Sequence, residues 1–234
     1  MKTKLIIVRH AEAEGNVERV FHGWTDSNIT KKGHLQAKLV AERLKDINID
    51  SIYSSNLQRC LQTASYISNV KGLPIIKTEQ LREINGGKWE NMPWDILPVK
   101  WPNEYYLWEN MPHLHKMPGG ESMIEFQKRI VDAFLNIINT QQGKVVCAVT
   151  HGTAIKSAIC YFYGKSLEEM KNMPWYDNTA VTIVEYAENN FNILIEGDVS
   201  HLDNQMKTIE NQQWWIEMKN RQYKRGDESI DFGI

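Results

Sequence analysis

The chain has 234 residues, enough for one full hydrophobic core, and its 42% hydrophobic and 24% charged residues are ordinary for a globular protein. The formal net charge of −2 gives no electrostatic reason to expect nucleic acid or an anionic membrane as a partner. No stretch approaches the roughly 18 apolar residues of a membrane span and the N-terminus shows no signal-peptide pattern, so we expect a cytoplasmic protein.

Short apolar runs alternate with helical patterns along the chain. Residues 5–8 and 144–152 are rich in β-branched residues and do not alternate with polar ones, which is typical of central strands covered on both faces. Apolar residues at helical spacing predict a helix after Thr30, a second helix after a short strand at 51–54, a third from Met123 and a fourth over 154–162. Residues 181–184 and 191–195 flank "YAENN" and predict a hairpin. This order predicts an α/β fold, a three-layer sandwich with a largely parallel central sheet flanked by helices.

Residues 92–118 interrupt this alternation. They contain three tryptophans and five prolines, too irregular a composition for a βα unit. We interpret them as an inserted lid in which Pro93 and Pro102 are the first residues of short helices. We expect residues 1–234 to form a single domain with this lid, and residues 205–234, which include Trp214 and Trp215, to dock as a C-terminal helix followed by a polar tail.

Basic side chains follow two of the predicted strands. Arg9 and His10 come directly after the first strand, and His151 comes directly after the strand "VVCAVT". Ligands in open α/β sheets bind beyond the carboxyl ends of the strands, so these side chains are expected at one edge of the sheet. Arg59 is expected to join them from the first turn of a helix. Such a cluster, with helix N-termini nearby, is suited to a dianion such as a phosphoryl group.

Six motifs in order carry a family resemblance: "VRHAEAEGN", "GWTDSNITKKGHLQA", "YSSNLQRCLQTA", "LREINGGKWE", "PGGES" and "VTHG". Over about residues 4–201 they resemble the histidine phosphatase superfamily, the phosphoglycerate mutase-like proteins. The resemblance implies a phosphoglycerate mutase-like fold and a nucleophile, His10, that becomes a phosphohistidine. It implies that Arg9, Arg59 and His151 hold the phosphoryl oxygens, that Asn16 adds a polar contact and that Glu83 is the proton donor. Further substrate contacts are expected from Gly23, Thr25, Gly152, Trp101 and Trp108.

The residue types suit phosphoryl transfer without a metal or another cofactor. Two guanidinium groups and a histidine can neutralise the equatorial oxygens, and a carboxylic acid can protonate the leaving alcohol. Glu12 and Glu90 remain alternatives to Glu83 as this acid. His113 and His115 resemble a metal pair only loosely, because no further ligands cluster nearby. Ala11 stands where the family usually has glycine and Ala13 where it has a hydroxyl residue, so we expect a slightly altered pocket.

Three functions compete at this stage. The first is a metal-independent phosphomonoesterase of the histidine acid type, in the phosphatase branch, acting on a small-molecule phosphate ester. The second is a cofactor-dependent phosphoglycerate mutase. Those mutases resemble one another in carrying Glu-Arg-His-Tyr at the acid position, where this chain has Glu-Ile-Asn-Gly at residues 83–86. This chain lacks the extra cations, which favours the phosphatase. The third is a catalytically inactive phospho-ligand-binding member. The lid has no surplus of cations, which favours monophosphates with an apolar or aromatic body, and a homodimer is one candidate assembly.

Overall fold

The structure, a computed structural model, describes residues 1–209, 211 and 212. Its sheet has the order β3-β2-β4-β1-β5-β6. The strands are β1 (Thr3–Arg9), β2 (Ser51–Ser55), β3 (Ile75–Thr78), β4 (Val145–Thr150), β5 (Val181–Ala187) and β6 (Asn190–Asp198). The first four strands pair in parallel, and β5 and β6 are antiparallel to their neighbours. The predicted α/β fold with a largely parallel sheet is confirmed.

Seven α-helices surround this sheet within the described residues. They are α1 (Glu14–Glu18), α2 (Lys31–Leu44), α3 (Gln58–Lys71), α4 (Leu97–Lys100), α5 (Pro102–Asn110), α6 (Met123–Thr140) and α7 (Gly152–Phe162). The predicted N-cap of α2 is present, because the Thr30 hydroxyl accepts a hydrogen bond from the Gly33 N–H at 3.0 Å. None of the described helices is long and apolar enough to cross a membrane.

The sheet is covered on both faces, as its continuous apolar strands predict. Leu5 and Ile7 of β1 belong to a large core with residues of α6 and α7, whereas Ile6 and Val8 pack with α2 and α3 on the opposite face. Alternate side chains of a strand point to opposite faces, so a strand with no polar position must be buried on both. This arrangement gives the three layers.

The strand pattern at the two sheet edges was only partly predictable. The hairpin β5–β6 turns at Glu188 and Asn189, whose φ values of 52° and 60° fit a two-residue turn with both residues left-handed. Strand β3 was not predicted from the sequence. It has four residues, lies at the edge and is half exposed, so it lacks the continuous apolar run that marks the central strands.

Residues 92–118 contain α4 and α5, and Pro102 begins α5 as predicted. The prediction for Pro93 is wrong, because Pro93 pairs with Val20 in an isolated bridge. Phe21 N–H donates to the Met92 carbonyl at 2.8 Å, and Trp94 N–H donates to the Arg19 carbonyl at 3.0 Å. These backbone groups are used in pairing and are not available for a helix.

The end of the chain is only partly described. Residues 205–209, 211 and 212 form turns and bends rather than a helix. The remainder of the predicted C-terminal docking helix and tail, with Trp214 and Trp215, lies outside the described residues.

Candidate active site

The site forms where β1 and β4 end. These strands are parallel neighbours, with Arg9 opposite Thr150 at their last registered pair. His10 follows β1 and its N–H donates to the Thr150 carbonyl at 2.9 Å, while His151 follows β4 as the residue before α7. The two imidazole rings are therefore 5.3 Å apart between centroids, at an interplanar angle of 62°.

The backbone fixes the tautomer of His10. Its Nδ1 lies 2.8 Å from the Ala11 carbonyl, which can only accept, so Nδ1 carries the proton and Nε2 carries the lone pair of the neutral ring. Burial, together with the charges of Arg59 and Arg9, holds the pKa of His10 well below its ordinary value. The ring is thus neutral near pH 7, with a basic Nε2.

Two guanidinium groups flank His10, that of Arg59 buried and that of Arg9 half-buried. Arg9 donates to the Tyr176 carbonyl at 2.6 Å, while its buried Nε has no hydrogen-bond partner among the described residues. Arg59 donates to the carbonyls of Thr25 at 2.8 Å and Gly23 at 2.7 Å. Burial lowers the pKa of both groups. A Cβ on Gly152 would approach Arg9 Nε at 3.3 Å, so glycine lets the start of α7 lie close to this cation.

His151 lies behind Arg59 and is not among the residues that line the cavity. Its Nδ1 accepts from Arg59 Nε at 3.2 Å, and its Nε2 therefore donates to the Ser55 hydroxyl at 2.8 Å. Both ring nitrogens are thus bonded inside the protein. His151 was expected to hold phosphoryl oxygens directly, whereas this arrangement lets it act by orienting Arg59.

Glu83 is the glutamate of the three candidates that lines the cavity. Its Oε1 accepts from the Ile84 N–H at 2.9 Å and its Oε2 accepts from the Thr153 N–H at 2.9 Å. These bonds favour the carboxylate, yet burial outweighs them and raises the pKa of Glu83 above its ordinary value. A carboxyl group with a raised pKa can be held as the acid that a leaving group needs.

The two alternative glutamates have other partners. Glu90 accepts from the N–H groups of Gly86, Trp24 and Thr25 at 2.8, 2.8 and 2.9 Å and from the Thr25 hydroxyl at 2.6 Å. Glu12 accepts from the Thr30 hydroxyl at 2.7 Å and lies 3.5 Å from Lys32 Nζ. Neither lines the cavity. Glu90 therefore shapes the loop whose carbonyls hold Arg59. Gly23 and Thr25, which were expected to contact the substrate, do not line the cavity and instead hold Arg59 through their carbonyls.

A cavity of about 380 Å³ opens above these groups. Its floor is formed by Arg9, His10, Arg59, Glu83 and the first residues of α7. Asn16 lines one side, and its Oδ1 accepts from the Ala13 N–H at 3.0 Å. Residues 92–118 form another side through Trp94, Asp95, Pro98, Tyr105, Trp108 and Glu109.

Trp101, which was expected to contact the substrate, and His115 do not line the cavity. The centroid of the Trp101 ring lies 6.4 Å from that of Trp89. Lys100 Nζ lies over the Trp101 ring, 4.8 Å from its centroid. His115 packs against Trp89 and Trp108. Among the described residues, no group of three or more His, Cys, Asp or Glu side chains is placed to hold a metal ion.

Comparison with known proteins identifies the family. The profile of the histidine phosphatase superfamily (branch 1) matches residues 5–198. The chain belongs to the histidine phosphatase superfamily. Phosphoserine phosphatase 1 of Hydrogenobacter thermophilus is 31% identical over 199 residues, which is 85% of this chain and 94% of that protein. A probable phosphoglycerate mutase, GpmB of Escherichia fergusonii, is 33% identical over 205 residues, covering 86% and 95% of the two chains.

Solved structures of the superfamily agree with the fold. Bacillus stearothermophilus YhfR superimposes with a TM-score of 0.83 at 34% identity, over 86% of this chain and all of that one. Ala11 departs from the family motif without backbone strain, because it is not among the described residues with positive φ. Its N–H donates to the Thr63 hydroxyl at 2.9 Å. Ala13 adopts an extended conformation (φ −113°) before α1.

Three residues of this histidine phosphatase site were not found from the sequence. Thr153 holds Glu83 through its N–H, and Asn178 Nδ2 donates to the His10 carbonyl at 2.8 Å. Asp177 in turn accepts from the Asn178 N–H at 2.7 Å. Asp177 and Asn178 precede β5, which is antiparallel to β1, so the start of β5 lies at the edge where β1 ends. The sequence shows Asp177 and Asn178 as polar residues before β5. They could be assigned to the site only by knowing that β5 runs antiparallel to β1.

Proposed function

We propose that this protein is a metal-independent phosphomonoesterase that hydrolyses small phosphorylated metabolites through a phosphohistidine on His10. The observation that carries the proposal is the tautomer of His10, whose Nδ1 is bonded to the Ala11 carbonyl in a cavity that Arg9 and Arg59 also line. A neutral imidazole with a free Nε2 is a nucleophile, and Arg9 and Arg59 are placed to bind an anion at the same point.

The proposed reaction has two steps. His10 Nε2 attacks phosphorus, the N–P bond forms as the P–O bond to the alcohol breaks, and Glu83 gives its proton to the departing oxygen. Glu83, now a carboxylate, then takes a proton from a water molecule that attacks the phosphohistidine. Inorganic phosphate leaves, and His10 and protonated Glu83 are restored. Arg9 and Arg59 stabilise the equatorial oxygens in both steps, with His151 orienting Arg59.

The charges of residues 92–118 favour a hydrolase over a phosphoglycerate mutase. Asp95 and Glu109 line the cavity from residues 92–118, whereas Lys100 lies over Trp101 and is not among the lining residues. A mutase must also hold a second anionic group of its substrate. Phosphoserine phosphatase and probable phosphoglycerate mutase both occur among the relatives, so both reactions belong in the test.

The experiment is a panel of phosphate esters with two readouts. Purified protein is incubated in excess EDTA with p-nitrophenyl phosphate, phosphoserine, an alkyl phosphate and 3-phosphoglycerate, and both released phosphate and isomerised phosphoglycerate are measured. We expect phosphate release, with an ester of apolar or aromatic body as the best substrate. Isomerisation of 3-phosphoglycerate faster than any hydrolysis would establish the mutase reaction instead. Absence of both reactions would favour the inactive, phospho-ligand-binding alternative.

A further inference from the structure

The cavity has one side that lies beyond the residues matching the family, which end at residue 198. Thr208, Ile209 and Gln212, which we call the C-terminal wall, line the same cavity as His10 and Arg59. Thr208 and Ile209 are 5% and 7% exposed, so this segment is packed onto the domain rather than lying loosely over it. Ile209 is the apolar member of the wall.

The wall is held by a carboxylate that also holds the nucleophile loop. Asp177 accepts backbone N–H bonds from Thr208 at 3.0 Å and from Ile209 at 3.1 Å. The same Oδ1 accepts from the N–H of Asn178, the residue whose side chain donates to the His10 carbonyl. Asp177 is itself buried. Asp177 and Asn178 together therefore connect the C-terminal wall to the backbone of His10.

Further bonds fix the segment from α2 and from the loop between β1 and α1. Gln36 Nε2 donates to the Met206 carbonyl at 2.6 Å and to the Thr208 hydroxyl at 3.0 Å. The Thr208 hydroxyl donates to Glu12 Oε2 at 3.2 Å, and Lys32 Nζ donates to the Lys207 carbonyl at 2.8 Å. These donors and acceptors belong to the folded domain, so they fix residues 206–208, and the bond from Ile209 N–H to Asp177 fixes Ile209 beside them.

We propose that the C-terminal wall selects the organic body of the phosphate ester, with Ile209 as its apolar contact and Asp177 as the positioning residue that holds it. The inference rests on the proposed function, because it assigns the body-binding side of the same cavity. The phosphate end is bound by Arg9 and Arg59, which the wall does not replace. Changes in the wall should therefore affect the body of a ligand and leave the affinity for bare phosphate unchanged.

The test uses binding, so that it does not depend on turnover. Calorimetry measures the Kd of phenylphosphonate, which has an apolar body and no hydrolysable ester bond, and the Kd of inorganic phosphate. Ile209→Ala should weaken phenylphosphonate about 10-fold, the lower end of what a lost apolar contact contributes, and should leave the Kd of inorganic phosphate within about twofold. Ile209→Asp should weaken phenylphosphonate further. Leu202→Ala is the matched control, because Leu202 is buried in the preceding segment and does not line the cavity.

Asp177 has its own readouts. Asp177→Ala should weaken phenylphosphonate as Ile209→Ala does and should expose the bond after Lys207 to trypsin, which mass spectrometry of the cleaved chain detects. Asp177→Asn keeps one acceptor oxygen and should restore most of the affinity and the protection. Circular dichroism establishes that each variant is folded.

The outcomes separate the two proposals. If the wild type binds both ligands and the Ile209→Ala and Ile209→Asp variants bind them as tightly as the wild type does, the role proposed for the C-terminal wall is wrong. The proposed function is then unaffected. If Asp177→Ala leaves both the affinity and the protection unchanged, the positioning role is wrong. If the wild type binds neither ligand and hydrolyses no ester, the proposed function is wrong, and so is the role proposed for the C-terminal wall.

Discussion

Replacement of Glu83 by glutamine tests the acid that the proposed mechanism needs. Glu83 accepts a hydrogen bond at 2.9 Å from each of the Ile84 and Thr153 N–H groups. A glutamine can accept from only one of these N–H groups and places its amide NH₂ against the other. One buried N–H then lacks an acceptor, so the free energy of unfolding should fall by about 1–3 kcal/mol. The fold should persist, because the backbone around the residue is otherwise unchanged.

The kinetic effect should depend on the leaving group. An alkoxide leaves poorly and needs the proton, so Glu83→Gln should lower kcat/KM for an alkyl phosphate by about 10² to 10⁴. p-Nitrophenolate leaves without needing a proton, so kcat/KM for p-nitrophenyl phosphate should fall far less. The assay compares kcat/KM, which reports the steps up to P–O cleavage and is not affected by later hydrolysis of the phosphohistidine.

The pH profile gives a second signature of the same residue. Burial raises the pKa of Glu83, and the acid form exists below that raised pKa, so kcat/KM for the alkyl phosphate should fall as the pH rises through it. The glutamine variant carries no titrating group there and should lack this alkaline limb. Glu90→Gln is the control: it loosens the loop that holds Arg59 and should slow both substrates equally. Equal losses for the two substrates in Glu83→Gln would refute the assignment of Glu83 as the leaving-group acid.

Three further predictions concern the metal, the guanidinium groups and the lid. Activity should survive excess EDTA and be blocked by vanadate, which imitates five-coordinate phosphorus; a requirement for added magnesium or zinc would contradict the role given to Arg9 and Arg59. Arg59→Lys should lower kcat about 100-fold, because one ammonium cannot replace a planar fork that is already bound to two carbonyls; near wild-type kcat would show that Arg59 is only structural. Trp108→Ala should change the ranking of kcat/KM across esters of different bodies, whereas Trp101→Ala should preserve it; an unchanged ranking in Trp108→Ala would remove the lid from substrate selection.

The central strands and the residues at their ends could be predicted because each depends on local sequence. An unbroken apolar run rich in β-branched residues, such as residues 5–8, is typical of a strand covered on both faces, and the residues that follow parallel neighbouring strands meet at one edge. Arg9, His10 and His151 could therefore be expected together from the sequence. Arg59 could be added because it opens a helix at the same edge.

The rest depends on contacts between distant parts of the chain. Pro93 fits the start of a helix in isolation, but pairing with Val20 determines its conformation. The family resemblance favours Glu83 over Glu12 and Glu90, but only the folded chain shows which N–H groups surround each carboxylate and which carboxylate lines the cavity. Asp177 and Asn178 reach His10 because β5 runs antiparallel to β1, a direction that the residues themselves do not encode.

Trapping the phosphorylated protein tests the central claim most directly. Wild-type protein is mixed with a ³²P-labelled phosphate ester, stopped within milliseconds in denaturant at alkaline pH, and digested for mass spectrometry. We predict a label on His10 that is stable in alkali and lost in acid, and no label on the His10→Ala variant. Label on a hydroxyl or carboxylate side chain, or turnover by His10→Ala at more than a small fraction of the wild-type rate, would contradict it.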